Sequence, residues 1–438
     1  MAEHQLWVFD GASRVGTVTF DSLEERFSFN YAPTWGQSPE AYPLSPAFPL
    51  NTDPTRFGSI RRFLENLLPE GRALDIVTTT HQISRNNIFG LIREIGRETA
   101  GALSFLPEGM TPVEVATELR EIAREELAQR IADRAHLPFS VWDGRVRMSI
   151  AGFQDKLPVY QDSGRLYLAQ GRYASTHILK PEPVDARLAG LVVNEHFCMQ
   201  LARRVGLEAA EVDILRLPAP VLAVARFDRL ANSDGVGRSH TIDACQALDY
   251  PVAYKYERNF GPGRDVRHIR DGVSFARLFD LALQAPRKAQ LQLQLTRWAL
   301  FQYLIGNADA HGKNISFYSQ PAGLELAPCY DLVSVVQFPE VEHGLAMAYG
   351  DEFELDVVSP YDFAAFASRV GIPRPVLARE MARLAKAAMK AAADQASSDA
   401  YLESEQSQVA ALRMFVEDQA KKLQQAIAPM LAVPAGDL

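Results

Sequence analysis

Asn307-Ala308-Asp309-Ala310-His311-Gly312-Lys313-Asn314 is followed, past a short hairpin, by Tyr330-Asp331-Leu332. Asp309 precedes Asn314 by four intervening residues. That is the spacing of a catalytic loop in which an Asp orients or deprotonates an acceptor hydroxyl and an Asn holds magnesium. A second carboxylate is needed against the same metal, and Asp331 comes where it should. Ile315-Ser316-Phe317-Tyr318 and Leu324-Glu325-Leu326-Ala327 read as the hairpin strands, turning at Gln320-Pro321-Ala322-Gly323. Such a hairpin would return Asp331 to Asn314. The leading reading is ATP-dependent phosphoryl transfer with magnesium. Taken alone, the same residues also describe a surface loop with capping Asp and Asn side chains.

Working outward, a rigid element should deliver this loop. Gln290 to Ile305 supplies one, a buried helix carrying Leu291, Leu295, Trp298, Phe301, Gln302 and Ile305. Upstream, Arg147–Ile150, Leu157–Tyr160, His177–Lys180, Ile214–Leu217 and Val221–Ala225 read as strands, with a helix over Asn194–Val205 ended by Gly206. Helices dominate after Phe227, and the tail from Tyr361 to Ala428 is helical. Strands first and helices later is the order of a nucleotide-gripping sheet followed by a helical lobe.

Lys180 ends its strand against Pro181, which forces it to be extended. Facing inward it could hold phosphate oxygens; otherwise it is an edge-strand lysine. Glu195 could pair with it, and Asn194 or Glu195 serves equally well as a helix-start residue. Ser149-Ile150-Ala151-Gly152-Phe153-Gln154-Asp155-Lys156 is small and polar enough for its amides to approach phosphate, but it is neither a Walker loop nor GxGxxG. Val224-Ala225-Arg226-Phe227-Asp228-Arg229 would present backbone groups to an adenine ring, or is simply a charged loop.

The N-terminal hundred residues read as a separate α/β unit. Leu6–Phe9 and Gly16–Phe20 flank the Asp10-Gly11 turn signal, and Phe27–Phe29 adds a strand. Helices are expected over Ser59–Leu68 and Asn87–Ile95, and a strand over Gly101–Leu106. The charged stretch 113–133 reads as one connector helix.

Composition narrows the function classes. With 47% hydrophobic and 23% charged residues, the chain fits a soluble globular protein of two or three domains. A net charge of −9 does not favour nucleic acid as direct ligand. Cys198, Cys245 and Cys329 are too scattered for a disulfide framework or zinc knot. The start, Met1-Ala2-Glu3-His4, lacks a secretory signal pattern, and no apolar run reaches bilayer length. The expected setting is cytoplasmic. HExxH, paired metal-ligand histidines and GxSxG are missing.

Taken together, these segments resemble the HipA family of kinase toxins from bacterial toxin–antitoxin modules. The resemblance runs almost end to end. It is carried by Tyr31-Ala32-Pro33-Thr34-Trp35, Glu65-Asn66-Leu67-Leu68-Pro69, Glu94-Ile95-Gly96-Arg97, Ser149–Gly152, Thr176–Lys180, Ala225–Arg229, Lys255-Tyr256-Glu257, Asp309–Asn314 and Tyr330-Asp331. It implies an α/β (α+β) HipA-type kinase fold. A small N-terminal α/β subdomain (1–140) would precede a two-lobed kinase domain (141–438), with a sheet-rich lobe over 141–228 and a helical lobe over 229–438.

The resemblance further implies a serine/threonine protein kinase using ATP and Mg²⁺. Asp309 would be the catalytic base, with Asn314 and Asp331 as metal ligands. Ala151, Gly152, Phe153, Gln154, Asp155, Lys156 and Lys180 would hold phosphates. Ala225, Arg226 and Phe227 would meet adenine, and His311, Gly312, Lys313, Asn314, Tyr330 and Asp331 would line the nucleotide site. Ser149 would be autophosphorylated, silencing the enzyme by placing roughly −1.5 to −2 charge beside ATP. Phe153, Asp155 and Ala225 depart from the best-known member, which leaves substrate choice open. The implied substrate is an aminoacyl-tRNA synthetase, typically glutamyl-tRNA synthetase; its modification would inhibit translation and bring growth arrest and persistence. The implied partner is a HipB-like helix-turn-helix antitoxin, with operator DNA reached mainly through it. The alternative is a catalytically idle co-repressor acting with that antitoxin.

Overall fold

The computed structural model describes residues 3–51, 57–112, 117–147, 154–171, 173–217, 219–232 and 235–438. The chain forms two compact units, each assembled from separated segments.

The first unit comprises Met1–Pro181, Leu215–Val252 and Phe317–Gly323. Its N-terminal part is an antiparallel sheet in the order Arg26–Tyr31, Ser13–Asp21, Glu3–Asp10, Leu103–Pro107. Alternation puts Leu6, Val8, Val18, Phe27, Phe29 and Phe105 inward, as a sheet solvated on one face requires. The helices Phe57–Asn66 and Ile88–Ile95 contribute buried Ile60, Phe63, Leu64, Leu91 and Ile92. Asn87 caps the second helix by accepting from the Gly90 amide. A third helix, Gly71–His81, escapes the sequence reading. Three consecutive threonines weaken its helical propensity, and it inserts little beyond Ala73 and Val77 into the core.

A six-stranded sheet follows, in the order Val212–Arg216, Pro220–Ala225, His177–Pro181, Leu157–Asp162, Arg165–Gln170, Glu118–Ile122. Leu157, Val159, Leu168, Leu179, Val221 and Ala223 fill one core with Phe139 and Trp142. Here the single connector helix is corrected. Glu118–Ile122 is a strand paired with Arg165–Gln170, and only Arg124–Ala132 is helical. Ala123 between them is extended. Charge-rich sequence suits a solvated edge strand as well as a helix face, and pairing with a neighbouring strand decides between them. Arg120 then clamps Glu126 with two bonds of 2.9 and 2.6 Å.

Two further boundaries move. Arg147 lies beyond the short strand Arg145–Val146, and the rest of the expected strand, 148–150, falls outside the described residues. After Phe227 the chain forms the strands Arg229–Asn232, Gly235–Arg238 and Thr241–Asp243 before helices take over.

The second unit comprises Glu182–Ile214, Ala253–Ser316 and Leu324–Leu438. Its helix Leu191–Arg204 begins at Gly190, before the expected Asn194. Asn194 and Glu195 therefore lie inside the helix, both buried, and neither starts it. Lys288–Ile305 is buried on every side from Trp298 onward, the pattern of a central helix. Around it run Phe275–Leu283, Pro360–Arg369, Arg374–Ala396 and Gln406–Ala432. Leu377, Met381, Leu384, Ala385, Ala388 and Ala392 make one buried stripe on the penultimate helix. Short strands, Gly344–Tyr349 and Glu352–Glu354, pair with each other. Among the described residues no helix is long and apolar enough to cross a membrane.

Candidate active site

In the second unit, Gly306 ends the central helix at φ +64, with its amide reaching the Tyr303 carbonyl. A Cβ at Gly306 would lie 2.6 Å from Val336 Cγ2 and 2.8 Å from Phe415 Cζ. Both the left-handed turn and the crowding call for glycine. The chain leaves this turn into Asn307, whose Nδ2 donates to Gln302 Oε1 at 2.9 Å and whose Oδ1 accepts from the Asp309 amide at 3.1 Å. Asp309 is exposed. Its Oδ1 accepts from the Tyr256 hydroxyl at 2.6 Å.

Asn314 closes the loop. Its Nδ2 donates to the Asp309 carbonyl at 2.9 Å and its amide to the His311 carbonyl at 2.9 Å. Using Nδ2 in this way leaves Oδ1, the oxygen a cation would need, aimed elsewhere. Gly312 donates to the Lys255 carbonyl at 2.8 Å, and the His311 ring stands edge-on to Tyr256 with centroids 5.0 Å apart. Lys313 is buried, and its amide donates to His311 Nδ1 at 3.3 Å.

The strands Ser316–Gln320 and Gly323–Leu326 form the expected hairpin. Beyond it Cys329 donates to the Glu208 carbonyl and accepts from the Ala210 amide. The Tyr330 hydroxyl donates to the Lys313 carbonyl at 2.7 Å, with the Ser316 hydroxyl also at 2.7 Å. Asp331 follows at φ +56, a left-handed conformation rare for a non-glycine residue. Three residues on, Ser334 and Asn194 bond reciprocally. Ser334 N donates to Asn194 Oδ1 at 2.8 Å, and Asn194 Nδ2 donates to the Ser334 carbonyl at 3.1 Å. Asn194 and Tyr256 thus support the segments bearing Asp331 and Asp309. Sequence reading gave neither that task; an Asn inside an apolar helix is the signal that could have found the first.

The remaining predicted residues belong to the first unit. Ser149, Ala151, Gly152 and Phe153 lie outside the described residues. Gln154 Nε2 donates to the Pro181 carbonyl at 3.4 Å. The register pairing Leu157 with Leu179 carries Lys156 alongside Lys180 at one end of the sheet. Both lysines are buried, and Asp155 beside them is half-buried. Two lysines side by side put positive charge at this end of the sheet.

Ala225 pairs with His177 at the other end of these strands. The Arg226 amide donates to the Thr176 carbonyl at 2.8 Å, and the Phe227 carbonyl accepts from the Tyr318 hydroxyl at 3.1 Å. The Arg226 side chain turns into a buried ionic cluster. It bonds Asp228 at 3.0 and 2.8 Å and Ser175 Oγ at 2.9 Å. Arg229 adds a 2.7 Å bond to Asp228 and holds the Thr99 and Gly101 carbonyls, both at 2.8 Å. Gly101, at φ +75, returns its amide to Asp228 at 2.8 Å. Burial by itself would raise the Asp228 carboxyl; the Arg226 and Arg229 guanidiniums reverse this and hold it well below the usual carboxylate range. The charged segment is thus a clamp on the end of the strand Pro220–Ala225.

Comparison with known proteins agrees with this architecture. The HipA N-terminal domain profile matches residues 6–106, and that of the HipA-like C-terminal domain matches residues 148–396. The serine/threonine-protein kinase toxin HipA of Shewanella oneidensis is 43% identical over 387 residues, covering 88% of this chain and 87% of that protein. A putative kinase of Sinorhizobium fredii, Y4mE, is 33% identical over 402 residues, 89% of this chain and 92% of its own. Among solved structures, Shewanella oneidensis HipA in complex with HipB and operator DNA superposes with a TM-score of 0.89 at 40% identity, over 98% of this chain and 100% of that one. The chain belongs to the HipA family.

Proposed function

We propose that this protein is an ATP- and Mg²⁺-dependent serine/threonine kinase acting as a toxin, with Asp309 as catalytic base. The observation that carries the reading is the closed Asp309–Asn314 loop: Asn314 Nδ2 fixes the Asp309 backbone at 2.9 Å while an exposed carboxylate projects from it.

Asn314 Oδ1 and the Asp331 carboxylate would hold magnesium, which takes few protein oxygens and completes its shell with phosphate and water. Bound there, the metal would neutralise charge on the phosphates. Lys156 and Lys180 would hold phosphate oxygens, with Ala151, Gly152, Phe153, Gln154 and Asp155 around them. Ala225, Arg226 and Phe227 would meet adenine through the backbone, and His311, Gly312, Lys313 and Tyr330 would line the pocket. In the transfer, the acceptor oxygen bonds to the γ-phosphorus and the bond to the β–γ bridging oxygen breaks. ADP departs, and the acceptor proton passes to Asp309.

The substrate we favour is an aminoacyl-tRNA synthetase such as glutamyl-tRNA synthetase, with translation arrest and persistence as the outcome. Autophosphorylation at Ser149 would silence the enzyme. Operator DNA would be reached through a HipB-like antitoxin, the partner present with the Shewanella protein; by the same observation, a co-repressor role is the second reading. Phosphosite mapping after incubation with Mg²⁺-ATP, beside Asp309→Asn, tests the proposal. Label on Ser149 or on the synthetase in wild type alone supports it; no label in either sinks it.

A further inference from the structure

We infer that Tyr256 is a positioning residue for the phosphoryl transfer, holding one oxygen of Asp309 so that the other faces the acceptor hydroxyl. The inference rests on the kinase reading above. Its basis is a contact that the Asp/Asn spacing does not anticipate: the Tyr256 hydroxyl donates to Asp309 Oδ1 at 2.6 Å. A carboxylate on an exposed loop would otherwise sample several rotamers, and a base must be held near one orientation to act.

Tyr256 is itself fastened on both sides. Its predecessor Lys255 accepts from the Gly312 amide at 2.8 Å, inside the Asp309–Asn314 loop. Its successor Glu257 is buried and accepts from the Ala348 amide at 2.8 Å, and its own amide donates to the Ala346 carbonyl at 3.0 Å. Ala346 in turn donates to the Ala308 carbonyl at 2.9 Å, next to Asp309. Arg270 bonds the Glu257 carboxylate at 2.7 Å. Gly272 packs so closely beneath that a Cβ there would meet the Tyr256 carbonyl at 1.9 Å. The tyrosine is therefore mounted on the same small framework as the aspartate it touches. The residue is 37% exposed, and its ring stands perpendicular to that of His311.

Engaging Oδ1 leaves Oδ2 for the acceptor. The phenol is a donor here, so it orients the carboxylate without competing for the acceptor's proton. Phenylalanine at 256 would keep the ring and remove the hydroxyl that donates to Asp309.

The test compares wild type and Tyr256→Phe as full-length, phosphate-free chains, following self-phosphorylation with radiolabelled Mg²⁺-ATP. Binding of a fluorescent ATP analogue and thermal melting are measured on the same samples. The expected result is a maximal rate lowered about 10- to 100-fold, with the ATP concentration for half-maximal rate, analogue affinity and melting temperature within about twofold or a degree of wild type. A purely structural role would move melting or nucleotide affinity instead, and would overturn the inference. So would a Tyr256→Phe rate equal to wild type, with the kinase reading intact. A wild-type chain that labels nothing would overturn both.

Discussion

Tyr330 donates its phenolic hydrogen to the Lys313 carbonyl at 2.7 Å, across 17 residues of chain. The residue before Asp331 is thereby bonded to the residue before Asn314. The two residues proposed to hold magnesium are linked through their chain neighbours.

Tyr330→Phe should loosen that registration. Losing one half-buried hydroxyl with two partners costs about 1–2 kcal/mol of stability, readable in a urea titration. A several-fold rise in the Mg²⁺ concentration for half-maximal self-phosphorylation should accompany it.

Asp309→Asn should separate chemistry from folding. The side chain is exposed, so melting should stay near wild type. Loss of a general base lowers a rate by about 10²–10⁴-fold, so radiolabel incorporation should fall to or near background.

Asn194→Leu removes both bonds to Ser334 and strands a buried backbone amide and carbonyl. Each unsatisfied group costs roughly 1–3 kcal/mol. Chemical denaturation should show a loss of about 2–5 kcal/mol, although residue 194 touches no proposed substrate atom.

Asp228→Asn leaves Arg226 and Arg229 buried without their shared carboxylate. Breaking such a pair from one side costs about 3–5 kcal/mol. The variant should melt far below wild type.

His240 supplies a pH dependence. Burial pushes its imidazole down to about 4, partly opposed by its bond to the Leu44 carbonyl at 2.9 Å. The ring also stacks on Tyr42, centroids 4.8 Å apart. The unfolded chain takes up the proton near pH 6.5, so its contribution is complete above that pH. It declines as pH falls and is gone by about pH 4, a span worth about 3 kcal/mol. Unfolding free energies measured from pH 7 to 4 should drop less steeply in His240→Phe than in wild type.

Periodicity made the central helix, the N-terminal hairpin and the paired strands around Lys180 legible, because in each the buried set repeats at helix or strand spacing. Spacing and chain order singled out the proposed Asp309/Asn314/Asp331 set, and the hairpin expected between Asn314 and Asp331 is present. What escaped was decided across distance. Glu118–Ile122 has a composition suited to either structure and becomes a strand only because Arg165–Gln170 offers an edge. Gly71–His81 carries too few large apolar residues to show a face. Asn194 and Tyr256 act on partners 140 and 53 residues away, and a local pattern holds no record of such partners.

The glycine that ends the central helix has a consequence for synthesis. Gly306 turns against Val336 and Phe415, and Phe415 belongs to the last long helix. Until that helix has left the ribosome, the turn that launches Asp309 lacks its backing, and at shorter lengths Ser334 is not yet there to bond Asn194. A nascent chain ending at Asp331 would carry the proposed site residues of the second unit without Ser334 or Phe415, which back their supports. For a protein read as a growth-arresting kinase, the residues that would do the chemistry are made before some of those that buttress them.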